Sequence, residues 1–117
     1  PIQCEYYALE GLTQLIRTVG LVQESLNPSL GLGAILLTMY DGRTRLAAQV
    51  AEEVRTHFPD AVLRATIPRT VRISEAPSYG QSVVTYEPNG VGAHSYREAA
   101  RELAQRAAAK SQEGERA

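Results

Sequence analysis

Arginine is concentrated in one stretch of this 117-residue sequence. Residues 43 to 72 hold Arg43, Arg45, Arg55, Arg64, Arg69 and Arg72 against Glu52, Glu53 and Asp60, a local balance of +3. The first thirty residues hold Arg17 against Glu5, Glu10 and Glu24, a balance of −2. A guanidinium is a planar fork that meets phosphate or carboxylate at two points. Arg43, Arg45, Arg69 and Arg72 flank the ends of two expected strands. Loops at one end of a parallel sheet share an edge, so these four can form a basic rim suited to phosphates. The alternative is a surface of arginines that are solvated or paired with nearby acids.

Other chemistries fare less well. The single lysine, Lys110, follows Ala107-Ala108-Ala109. A P-loop needs a glycine-rich turn running into Gly-Lys-Ser/Thr, so the chain contains none. The net charge of −1 does not describe a basic nucleic-acid binder overall, although a local patch stays possible. Cys4 stands alone, which excludes an internal disulfide framework and fits a reducing compartment. His57 and His94 lack metal-ligand spacing. Glu5 and Glu10 suit the positive end of a helix better than paired catalysis. Glu75 reads as a carboxylate that bonds backbone or an arginine. Tyr6-Tyr7 reads as packing.

Positioning these residues requires a scaffold. Leu9, Leu12, Ile16, Val19 and Val22 make one apolar stripe, which predicts a helix over 6–26 ended by Asn27-Pro28. The nearly continuous apolar run 34–40 predicts a strand buried on both faces. Leu46, Val50, Val54 and Phe58 predict a helix over 44–58, capped by Thr44 or Asp41. A second strand follows at 61–67, then a loop over 68–80 and a short extended piece at 82–86. The last helix is expected over 92–110, with Ser95 to Glu98 matching a capping box, and a polar, flexible tail over 111–117. The order is helix, strand, helix, strand, loop, helix, which implies parallel strands with crossover helices. Two strands do not complete such a sheet. The chain therefore reads as the C-terminal part of a larger α/β domain. No apolar run approaches the ~20 residues of a membrane-spanning helix.

Three segments carry a resemblance: 1–11 (PIQCEYYALEG), 37–44 (LTMYDGRT) and 67–80 (IPRTVRISEAPSYG). Together and in this order they resemble the ParA/Soj family of chromosome- and plasmid-partitioning ATPases, relatives of MinD. A looser match continues through Tyr86-Glu87-Pro88 into the last helix. The resemblance implies a doubly wound parallel-sheet P-loop NTPase fold, of which residues 1–110 supply the C-terminal portion without the P-loop half. It implies ATP and Mg2+ as ligands of the intact protein, with neither held tightly by this chain alone. It implies a homodimer in the ATP state, nonspecific DNA binding, a ParB-type partner that stimulates hydrolysis, and a cytoplasmic, nucleoid-associated location without membrane attachment. The family's adenine loop maps to Pro68, Arg69 and Thr70, with Met39 nearby. Its DNA contacts map to Arg43 and Arg72, with Arg45 as an extra. Hydrolysis is not expected of this chain alone. Two other readings stand beside this one: a stand-alone interaction module, and a MinD-like positioning ATPase, which the alanine-rich last helix disfavours.

Overall fold

The computed structural model describes residues 1–116. Strand β1 is Ile2–Gln3, helix α1 Ala8–Ser25, strand β2 Ile35–Tyr40, helix α2 Arg45–His57 and strand β3 Val62–Pro68. Helices α3 (Val71–Glu75), α4 (Val83–Tyr86) and α5 (Val91–Arg116) follow, with a 3-10 turn at Ala76–Tyr79. The strands form a parallel sheet in the order β1-β2-β3.

The alternation of side chains along β2 builds two cores. Ile35 and Leu37 pack with Leu12 of α1 and with Val50 and Val54 of α2. Ala34 and Leu36 pack on the other face with Leu63, Ile67, Ile73, Tyr96 and Ala99. The result is three layers, with α1 and α2 below the sheet and α3 and α5 above it. Leu37, Leu63, Ile67 and Val54 are fully buried. Each contributes about 1.5–3 kcal/mol of burial. Helix α2 presents Ala47, Val50, Ala51 and Val54 to the core. Of its two candidate caps Thr44 serves, accepting the Ala47 N–H at 3.2 Å.

Several expectations change. β1 is a third strand, too short for a period-two signal. It pairs Ile2 with Leu37 and Gln3 with Thr38. The stretch after β3 is helical turns rather than open loop: Thr70 caps α3, and Gly80 closes the 3-10 turn at φ +66°, a left-handed angle that favours glycine. Residues 83–86 are a helical turn, not an extended piece. Ser82 caps it and Val83 is buried, so capping and packing override the β preference of Val83-Val84. Helix α5 begins at Val91, which places Ser95 inside it, donating to the Val91 carbonyl instead of capping. Gly92 lets that start pack close, since a Cβ there would stand 2.9 Å from Ile73. The helix continues past Lys110 to Arg116. Of the expected tail 111–117, Ala117 lies outside the described residues.

Helix α5 is tied to the outer edge of β3 by two side chains. The Glu102 carboxylate accepts the N–H groups of Arg64 (2.8 Å) and Ala65 (3.0 Å). Arg106 donates to the carbonyls of Asp60, Ala61 and Val62 at 2.8–3.1 Å and pairs with Glu102 at 3.1 Å. The Ala61 carbonyl also accepts the Ile35 N–H at 2.9 Å, so Arg106 clamps the point where β3 joins the sheet. Burial alone would raise the Glu102 carboxyl. The N–H groups of Ala65 and Arg64 and the Arg106 guanidinium outweigh it and hold the group below the usual carboxylate range.

A depressed glutamate stabilises the fold above its unfolded pKa of about 4.3, and that stability is lost as pH falls through the lower folded value. Glu102→Gln should cost about 1–3 kcal/mol at neutral pH. It should also flatten the loss of stability below about pH 4. Urea unfolding followed by circular dichroism measures both; an equally steep acid loss in the variant would assign it to another group.

Candidate functional site

The parallel register brings the three strand ends to one edge. Tyr40 pairs with Pro68, and the Arg69 N–H donates to the Tyr40 carbonyl at 3.1 Å. On the other side of β2 the Cys4 N–H donates to the Thr38 carbonyl at 2.9 Å. Strand β1 itself, through Gln3, and the segments after β2 and β3 therefore surround one cleft of about 700 Å³. Met39, Arg43, Pro68, Arg69 and Thr70 line it, with Gln3, Thr38, Ile67, Ile73 and Tyr96. In open α/β sheets the carboxyl ends of the strands are where ligands bind.

Met39 has φ +52°, and the β2–β3 register shifts between Leu37 and Tyr40. A bulge of this kind re-aims a strand end, and left-handed backbone is costly for a side chain other than glycine. Thr70 has a local duty: its Oγ1 accepts the Ile73 N–H at 3.2 Å. Its hydroxyl proton remains free to donate.

The arginines divide. Arg43 grips Asp41 side-on, Nε to Oδ1 at 3.0 Å and Nη2 to Oδ2 at 3.1 Å, while its side chain stays 91% exposed. The hydrogen bonds from the Arg43 side chain and N–H hold the Asp41 carboxyl below its usual range. Arg69 faces Glu5 at 3.6 Å across the strand ends. Arg45 opens α2, exposed and outside the cleft lining. Arg72, on α3, is also outside that lining. It pairs with Glu87 at 3.2 Å and Glu75 at 3.5 Å. The Tyr86 hydroxyl and both carboxylates hold its guanidinium above the usual value. Tyr86 donates to Glu75 at 3.0 Å, and its ring stacks on Tyr79 at 5.1 Å. Glu75 thus bonds an arginine, as its loop setting suggested. The expected rim is partly assembled: the cleft joins Arg43 and Arg69 to Met39, Pro68 and Thr70, and leaves Arg45 and Arg72 outside. Sequence reasoning missed Tyr86 and Glu87 as partners of Arg72: Tyr86 closed the expected extended piece at 82–86, and Tyr86-Glu87-Pro88 entered only as a loose motif match. Glu87 lies fifteen residues from Arg72, beyond any local spacing rule.

No family model matches the chain. Individual relatives do. The chain is 54% identical over 104 residues to the sporulation initiation inhibitor protein Soj of Bacillus subtilis, covering 89% of the chain and 41% of that protein. It is 53% identical over 106 residues to the chromosome partitioning protein ParA of Caulobacter vibrioides, covering 91% and 40%. It is 50% identical over 103 residues to the chromosome-partitioning ATPase Soj of Thermus thermophilus, covering 88% and 41%. The chain spans about two-fifths of the length of these curated relatives. Among the described residues no helix is long and apolar enough to cross a membrane.

Left-handed backbone at Met39 makes a specific ordering of variants. A β-branched side chain is a worse occupant there than an unbranched one, so Met39→Val should destabilise by about 1–3 kcal/mol. Met39→Gly should be the milder change, because glycine relieves the backbone while losing packing. Chemical denaturation ranks the two, and a Val variant as stable as the Gly variant would mean that the bulge relaxes.

Proposed function

Since the chain is homologous to the ParA/Soj chromosome-partitioning ATPases, we propose that it is the base-holding and DNA-contacting portion of such an ATPase. The supporting observation is the shared edge: a ligand-sized cleft and an exposed, pre-oriented Arg43 lie at the same ends of the same strands.

The cleft has the size of a small-molecule site. Met39, Ile67, Pro68 and Ile73 give it apolar walls suited to a purine, and Thr70 keeps a donor. The phosphates find less here. Lys110 lies on α5, and no lysine lines the cleft. The residues present therefore fit the base of ATP, and the triphosphate and Mg2+ would be held by groups outside this chain. Bound ATP supplies the phosphoryl group whose hydrolysis drives a partitioning cycle; Met39, Pro68, Arg69 and Thr70 would orient its base.

Arg43, Arg45 and Arg72 would meet the DNA backbone. Phosphate contacts carry no sequence information, which accounts for nonspecific binding. So few cations per subunit make a small footprint, and a homodimer in the ATP state doubles it. A ParB-type partner that stimulates hydrolysis, and a cytoplasmic site on the nucleoid, complete this reading.

In the intact protein with ATP, Arg43→Ala combined with Arg72→Ala should abolish DNA binding, and Arg72→Ala alone should leave nucleotide binding unchanged, because Arg72 lies outside the cleft. Either replacement alone should reduce the salt slope of log K by roughly 0.9 for each phosphate it no longer neutralises. Fluorescence anisotropy with a nonspecific duplex over a salt series reads both. Unchanged affinity in the double variant would remove these arginines from the interface.

A further inference from the structure

We propose that Glu87 is an autoinhibitory contact, a carboxylate that stands on Arg72 where a DNA phosphate would stand. The inference rests on the DNA-contact reading of Arg72.

The two arginines differ in what they leave free. A guanidinium offers two two-point faces, one using Nε and one using both Nη atoms. Asp41 takes the Nε–Nη2 face of Arg43, so the end-on face stays open. On Arg72, Glu87 sits at Nε and Glu75 at Nη1. Neither two-point face is complete. Two carboxylates around one guanidinium also give the cluster a net charge of −1, which repels a polyanion at close range.

The seat of Glu87 is built but loose. Its Oε2 is buried and accepts no well-aligned hydrogen bond, although Arg72 is close. A buried oxygen without a donor is costly, so this contact is weakly held compared with the side-on grip on Arg43. Its carboxylate also lies over Gly90, 2.8 Å from where a Cβ would stand. Glycine at 90 makes room for the acid. Glu75 is better anchored, because Tyr86 donates to it and Tyr79 stacks on Tyr86. Glu87 is therefore the partner that phosphate displaces, and Glu75 stays to orient the freed arginine.

The test measures nonspecific duplex binding by the full-length protein with ATP, at low and moderate salt. Glu87→Gln keeps the shape and removes the charge; affinity should rise about fivefold, the scale of one surface ion pair. Gly90→Ala leaves the net charge unchanged and pushes the carboxylate off its seat, and it should raise affinity in the same direction. Adding Arg72→Ala to either should erase the gain. Melting curves by circular dichroism confirm that each variant is folded. No gain in Glu87→Gln, weaker binding, or a gain that survives Arg72→Ala would overturn the gate. Loss of binding in Arg43→Ala/Arg72→Ala with no effect of Glu87→Gln would reject the gate alone. Unchanged binding in that double variant would reject the DNA reading beneath it.

Discussion

The fold depends on how the outer edge of β3 is satisfied. A sheet edge exposes peptide groups that seek partners. Here Glu102 and Arg106, one turn apart on α5, supply both kinds of partner: acceptor oxygens for two N–H groups of β3, and donor nitrogens for the Val62 carbonyl and for those of Asp60 and Ala61 just before the strand, the last also paired with Ile35 of β2. Their spacing of four residues puts them on one helix face. The same contact presses Ala99 and Tyr96 onto Leu63 and Ile67. Covering the edge and closing the upper core are one event, and α3 gains its place because Gly92 lets the start of α5 approach Ile73.

That docking determines what stands at the other end of the strands. Once β2 and β3 are fixed in parallel register, the residues after them have little freedom. Arg43 and Arg69 fall on one cleft, while Arg72 is carried onto α3 among acids. A guanidinium binds carboxylate and phosphate with the same geometry. An arginine surface is therefore always in competition with its own neighbours, and the spatial order of acids matters as much as the count of bases. Asp41 presents its arginine, whereas the pair Glu75 and Glu87 enclose theirs.

Much of this was legible beforehand, and the reasons are physical. The apolar run through Ile35 and Leu37 has to be covered on both faces, which implies parallel strands. The four-residue steps of Val50 and Val54 specify the face of α2. β1 was invisible because two residues carry no periodicity. The turn at 83–86 was misread because Val83-Val84 favours a strand in isolation, and only Ser82 and the contact with α5 decide otherwise. Met39, Pro68, Arg69 and Thr70, which the motifs single out, line one cleft. The bulge at Met39 did not show, because methionine gives no sign of left-handed backbone. Arg72 was placed near the site by its motif, and Glu75 is its local partner on α3, yet Tyr86 and Glu87 arrive from α4 and the turn after it through tertiary contact.

Helix α5 has one more property. It begins beside α3 at the arginine edge and meets the first residues of β3 through Arg106, so it runs antiparallel to the sheet. The ten residues after Arg106, up to Arg116, continue for about 15 Å at the usual helical rise. The radius of gyration is 16.1 Å, against about 13 Å for a compact domain of this length. The overhang is thus a handle that points away from the cleft. A fluorophore, surface tether or force probe attached there would report on the body of the protein without crowding the strand ends.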